Sequence, residues 1–263
     1  MDERCEPLLS IICATYNRAA VLGRAIDSVV AQDFGGWELL VIDDGSTDHT
    51  AALKSRYECD SRIRFFEMGV NRGVGAARNY GLSFARAPWI VLLDSDNALA
   101  PDALTLMVRA ASKMGTVLLH KFCVRSFDGV LMGQAPKVTT VIGGDDYLCG
   151  RFNGEHHSLV GAKLLKKHPF FESFSGGEGI IWSRIALECG AVAYHPDVTE
   201  YYETTGQDRL SVRKKNYRRL ELVFREDVST LWTAYIKKCP GHLLVRIFKW
   251  NAYWILSRIR WER

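Results

Sequence analysis

The chain has 263 residues, 48% of them hydrophobic and 24% charged, with a net charge of +4; this suffices for one large packed α/β domain with an appendage and excludes a disordered chain. No stretch of about 18 uncharged apolar residues occurs, so a membrane-spanning helix is not expected. The charged opening from Met1 to Pro7 holds no apolar run, so no secretory signal is visible and a cytoplasmic location is expected.

In chain order, Leu8 to Cys13 is a short apolar run that gives way to a polar turn at Thr15-Tyr16-Asn17, and Ala19 to Ala31 carries apolar residues at helical spacing. Leu39 to Ile42 is a second buried strand. It breaks into Asp43-Asp44-Gly45-Ser46, where Ser46 or Thr47 is placed to cap the next helix. Ile63 to Phe66 reads as a third strand, Gly75 to Ala85 as a helix, and Trp89 to Leu93 as a fourth strand ending at Asp94. This rhythm predicts a mostly parallel central sheet with helices on both faces. No internal repeat or Pro/Gly/Ser linker divides the chain before about residue 208.

Ligands of such a sheet sit beyond the carboxyl ends of its strands. Tyr16-Asn17, Asp43-Asp44 and Asp94-Ser95-Asp96 would therefore share one edge. Acidic turns also follow strands simply because Asp starts helices well, but three such clusters together point to a site. Asp94 and Asp96, one residue apart directly after a strand, offer hard oxygen donors to Mn²⁺ or Mg²⁺. A metal held by one or two protein carboxylates keeps positions open for phosphate oxygens, which describes a site for a nucleotide-diphosphate ligand. On spacing alone Asp-x-Asp is a weak signal; its strand context makes it informative. Asp44 is suited to accept from a base N–H, Tyr16 to stack on a base or to pack half-buried, and Arg78 to reach phosphate or base from its helix. No G-x-G-x-x-G follows the first strand, which argues against a dinucleotide-dependent dehydrogenase.

Four stretches carry a resemblance to family 2 of the glycosyltransferases, which have the GT-A fold. They are Ser10 to Arg18, Val41 to Asp48, Asn71 to Gly81 and Val91 to Asp96, and they occur in the family's order. The resemblance is close from Leu8 to about Asp102 and weaker to about Arg209. It implies an inverting, metal-dependent transferase using a nucleotide-sugar, with UDP-sugars the usual donors. By it, Ala14 through its backbone, Tyr16, Asp44 and Arg78 would hold the nucleobase, Asp94 with Ser95 the ribose and metal region, and Asp96 the metal. Residues 1–208 would form the catalytic domain, with 1–102 the nucleotide-sugar half and 103–208 the acceptor side.

The family usually has proline where Ala14 stands, a mild departure for a backbone contact. It also places a Glu-Asp pair before a helix to deprotonate the acceptor. Here the stretch Ser175-Gly176-Gly177-Glu178-Gly179 keeps the first acid and replaces the second by glycine. One carboxylate suffices for inversion, so Glu178 is the candidate base, with Asp145, Asp146 and Glu155 as substitutes. Glu178 would also favour the start of the helix Ile180 to Leu187 by its charge alone. Loss of the second acid leaves open a non-catalytic or partner-dependent nucleotide-sugar-binding subunit. His156-His157 reads as polar packing or substrate contact before metal, because no third ligand accompanies it. Many GT-A enzymes add a histidine ligand late in the domain; Tyr201 to Ser211 has none, and Gln207 and Arg209 are the residues there that would face the diphosphate.

The seven cysteines are scattered without a C-x-x-C pair and read as reduced thiols. Residues 209–263 hold 14 Lys/Arg against 4 Asp/Glu, so the basic character belongs to this helical segment. Leu243 to Trp261 alternates bulky apolar residues with Arg246, Lys249, Arg258 and Arg260. This is the composition of an interfacial helix, with Trp250, Trp254 and Trp261 at headgroup depth and the cations on anionic lipid. The same face would equally pack on the catalytic domain or on a second subunit. No nucleic-acid-binding motif accompanies the basic charge. The whole therefore reads as a transferase acting on a glycan or lipid-linked acceptor in bacterial-type surface polysaccharide synthesis, peripheral to the inner face of the membrane.

Overall fold

A computed structural model describes residues 6–173, 177–205 and 217–259. The first half alternates strands and helices. β1 (Leu9–Thr15), α1 (Leu22–Val30), β2 (Trp37–Asp43), α2 (Lys54–Tyr57) and β3 (Ile63–Glu67) are followed by α3 (Val74–Phe84), β4 (Trp89–Leu92), β5 (Ala98–Leu99) and α4 (Ala103–Lys113). The second half continues with β6 (Leu119–Ser126), β7 (Thr140–Gly143), α5 (Gly144–Leu148), β8 (His156–Gly161), α6 (Ala162–Lys167), α7 (Glu178–Cys189) and β9 (Ala191–Tyr202). Two long helices, α8 (Tyr217–Lys238) and α9 (Pro240–Ile259), complete the described chain.

All strands join one sheet in the order β3-β2-β1-β4-β8-β6-β9-β5, with β7 paired to β9. The strands β3, β2, β1 and β4 are mutually parallel, as their apolar runs predict, while β8 enters antiparallel to both β4 and β6. The sheet is therefore parallel in its nucleotide-side half and mixed beyond it. Successive residues of β1 and β2 are buried on opposite faces: Leu9, Ile11 and Cys13 pack with α1 and α4, and Ile12, Leu40 and Ile42 with α3 and α7. Burial on both faces is why these strands read as unbroken apolar runs.

Two features at the strand ends position the site. Gly81 lets α3 lie directly on the sheet, since a Cβ there would come within 2.8 Å of Ile12 and 2.9 Å of Ile42. Gly45, at φ +74°, turns the chain after β2 where a side chain would strike the backbone of Val70. The cap after β2 differs from expectation. Asp48, not Ser46 or Thr47, accepts from Thr50 N, because the Ser46 hydroxyl is turned back onto Asp43.

Helices α8 and α9 pack on each other and on α5 and α7 through Leu148, Ile180, Val228, Leu231, Tyr235 and Leu243. The expected boundary at 208/209 falls outside the described residues. Packing brings the end of α5 against the α8–α9 elbow, where Cys149 and Cys239 are joined as a disulfide across 90 residues of sequence. The expectation that all cysteines are free is corrected; a spacing of that length carries no signal of a pair that only tertiary packing brings together. Cys13, Cys59, Cys123 and Cys189 are free. Among the described residues no helix is long and apolar enough to cross a membrane.

Candidate active site

The carboxyl ends of β1, β2 and β4 lie side by side, since Thr15 registers with Asp43 and Ile12 with Leu92. The first two loops are stitched together: Asn17 N donates to Ser46 Oγ (2.8 Å), Thr47 N to Asn17 Oδ1 (2.8 Å) and Asp44 N to Thr15 O (2.9 Å). Tyr16 stands open on this edge, 40% exposed, beside half-buried Ala14. Asp44 is buried, and its two carboxylate oxygens accept from the backbone amides of Arg72 (2.8 Å) and Gly73 (2.7 Å). Asp44 thus anchors the loop that leads into α3, and with it the position of Arg78.

Arg78 bridges two carboxylates. Its guanidinium, almost fully buried, donates through Nη2 to Asp94 Oδ1 at 2.8 Å and through Nη1 to Glu178 Oε1. Burial alone would lower its pKa, but the two carboxylates outweigh burial and hold it well above the usual arginine value. The arginine that the resemblance assigns to the nucleobase links the loop after β4 to the first turn of α7. Glu178 is the first residue of α7, preceded by Gly177 at φ +82°, and its charge there also favours the helix start. Ser175 and Gly176 lie outside the described residues, as do Gln207 and Arg209.

Arg78, Asp94 and Glu178 line one open pocket together with Glu155, Trp182 and Glu200. Ser95 is buried, and Asp96 follows Asp94 on the same loop, whose backbone Asp96 O accepts from Arg24. Two half-buried carboxylates with Asp94 Oδ2 unengaged by Arg78 form an all-oxygen donor set, which fits Mg²⁺ or Mn²⁺ with its remaining positions left to water or phosphate. Among the described residues no cluster of three or more His, Cys, Asp or Glu forms a metal cage. The histidine pair is committed otherwise. His156 contacts Gln134 O (2.9 Å), and His157 contacts Leu92 O and Thr199 Oγ1 (both 3.0 Å). Of the substitutes for Glu178, Glu155 lines the pocket, whereas Asp145 pairs with Lys238 and Asp146 with Arg151, and neither lines it.

Sequence reasoning passed over Asn97, Lys121, Trp182 and Glu200. Glu200 is buried on β9, accepts from Asn97 Nδ2 at 2.8 Å, and is pushed up to about 8 by burial and then by Asp94. Burial and the neighbouring Asp94 thus favour its protonated form. Only Trp182 left a readable signal, standing four residues after Glu178 and so on the same helical face.

Comparison with known proteins identifies the family and the fold. Over 200 residues the chain is 40% identical to the succinoglycan biosynthesis protein ExoO of Rhizobium meliloti, covering 70% of this chain and 57% of that one. Over 188 residues it is 31% identical to the GalNAc(5)-diNAcBac-PP-undecaprenol beta-1,3-glucosyltransferase of Campylobacter jejuni, covering 69% and 60%. The matches thus span about three fifths of these curated relatives. Among solved structures, S. aureus TarS 1-349 in complex with UDP-GlcNAc superposes with a TM-score of 0.70 over 84% of this chain and 66% of that one, at 19% identity. The mannosyltransferase PcManGT from Pyrobaculum calidifontis, in complex with GDP-Man and Mn²⁺, gives 0.62 over 97% and 76%, at 20% identity. The fold is GT-A. Residues 10–158 match the model of glycosyl transferase family 2, and the chain belongs to that family.

Proposed function

We propose that the chain is an inverting glycosyltransferase that moves a sugar from a UDP-sugar to a glycan or lipid-linked acceptor in bacterial surface-polysaccharide synthesis. The observation that carries this reading is that Arg78 joins Asp94 and Glu178 at the border of one pocket. A leaving-group site and a base are thereby held at opposite ends of one rigid fork. The names of the relatives, a glucosyltransferase acting on an undecaprenol-linked glycan and a succinoglycan biosynthesis protein, support the acceptor class.

In this mechanism Tyr16, Asp44 and the Ala14 backbone hold the nucleoside at the ends of β1 and β2. Asp94 and Asp96 would hold Mn²⁺ or Mg²⁺, which when bound stabilises the charge of the departing diphosphate. Arg78 occupies Oε1 of Glu178 and leaves Oε2 for the acceptor hydroxyl. Glu178 takes the proton from that hydroxyl as its oxygen attacks the anomeric carbon. The bond from that carbon to the diphosphate oxygen breaks on the opposite side, so configuration inverts and UDP leaves.

The C-terminal hairpin supports a location at the inner membrane surface. Leu244, Phe248 and Ile255 form one outward row on α9, exposed by 69%, 75% and 49%. The row differs from the tryptophan belt expected: Trp254 is 40% exposed, Trp250 is half-buried, and Trp261 lies outside the described residues. Arg246 pairs with Asp227 at 3.2 Å and stays partly exposed. A second copy of the chain on this row is the other reading, and sedimentation with and without anionic vesicles separates the two.

The test of the transferase reading is UDP release from a panel of UDP-sugars with Mn²⁺ or Mg²⁺ and a membrane-lipid extract as acceptor. Metal-dependent turnover that Asp96→Ala abolishes supports it. UDP-sugar binding without turnover under every condition would favour a non-catalytic subunit.

A further inference from the structure

We infer that Trp182 is the platform on which the acceptor's sugar ring lies beside Glu178, and that Lys121 is the positioning residue that holds the indole there. The inference rests on the transferase reading of the same pocket and deepens it by naming what the acceptor presents: a pyranose ring with one apolar C–H face.

Glu178 and Trp182 are four residues apart on α7, one turn along the same face, and both line the pocket. The indole is held from two directions. Lys121 Nζ lies 4.2 Å from the ring centroid, and the Phe170 ring meets it edge-on at 6.2 Å. The indole is partly buried against the core and also carries the Lys121 side chain over its ring. Lys121 is 4% exposed on β6, donates to Ser158 Oγ at 2.7 Å and sits 5.8 Å from the Tyr147 ring. Burial draws its pKa down to about 7 against the pull of Glu155 and Glu178. In its protonated form Lys121 makes a desolvated cation–π contact that fixes the Trp182 ring.

An indole with carboxylates beside it matches a sugar's two chemistries at once. The C–H face of the ring packs on the aromatic surface, and the hydroxyls at the rim reach Glu178 and Glu155. The ring in question belongs to the acceptor, because Trp182 shares a helix face with the proposed base while Asp94 lies at the other arm of Arg78.

Two measurements on the full chain test this. The protein has seven tryptophans; 5-fluorotryptophan labelling gives their ¹⁹F signals, and Trp182→Phe identifies the one from position 182. Titration with the methyl pyranosides of glucose, galactose, mannose and N-acetylglucosamine, in the presence of UDP and Mg²⁺, should shift that signal saturably with at least one of them, and UDP alone should not. If none moves it, the platform is elsewhere. In UDP-release kinetics, Trp182→Ala should raise the acceptor KM about tenfold or more and leave the donor KM within about twofold. Trp182→Phe should restore most of the loss, and Lys121→Met should fall between. A rise confined to the donor KM would assign the ring to the donor sugar and overturn the proposal. If no variant or wild type turns over, the transferase reading fails, and the ¹⁹F titration still decides whether a pyranose binds at Trp182.

Discussion

Arg78 of α3 and Glu178 of α7, a hundred residues apart in sequence, form an ion pair whose second arm reaches Asp94 at the end of β4. The guanidinium is buried, and both carboxylates are nearly half exposed to the pocket. Arg78→Met would leave two carboxylates facing one another without their shared cation. Turnover should fall by about a hundredfold or more, with a stability loss of about 2 kcal/mol, less than for a fully buried pair. Arg78→Lys should recover little of the rate, because a single ammonium cannot reproduce the planar fork. Steady-state UDP release and thermal melts of the three proteins check both numbers.

Gly179 stands where the family has a second acid, and a Cβ built there meets nothing within 4 Å. It lies in the first turn of α7. Gly179→Asp should therefore fold normally and stabilise the helix start by about 0.5–1 kcal/mol, through lost glycine entropy and a favourable charge at the N-terminus. Activity should persist at no less than about half the wild-type rate. A melting temperature below wild type would show that the open space is needed.

Three buried histidines make stability depend on pH. His120 and His195 share a contact at 3.0 Å, and burial pushes His120, His157 and His195 each down to about 4. Their folded values lie below the unfolded value near 6.5. Between these limits the unfolded chain takes up protons that the native chain refuses, so their contribution is complete above pH 6.5 and is lost as the pH falls toward 4. Lowering the pH from 7 to 5 should cost about 5 kcal/mol in all, read by chemical denaturation. His195→Gln should make that slope shallower.

The nucleotide-side half was legible because β1, β2 and β4 are buried on both faces and end in Asp-rich turns, so each strand and its site residue read together. The far half hid its strands. β6 carries buried His120 and Lys121 within its run, and β8 opens with His156-His157, so neither has a clean apolar pattern. Glu200 and Asn97 meet across 103 residues of sequence, a contact that only the pairing of β5 with β9 creates. The parallel pattern predicted from the first strands did not foresee β8 entering antiparallel, because that order depends on long-range pairing and not on local periodicity. Arg78 was visible as a residue but not as a bridge, since its partners lie on two other elements.

The central claim is that Glu178 removes the acceptor proton while Arg78 holds it in line with Asp94. Its most direct test is Glu178→Gln, which keeps the shape and an oxygen for Arg78 but cannot take a proton. UDP-sugar affinity, measured by calorimetry, should stay within about twofold, while kcat falls by about a thousandfold. Turnover within a few fold of wild type would contradict the account and move the base to another pocket carboxylate.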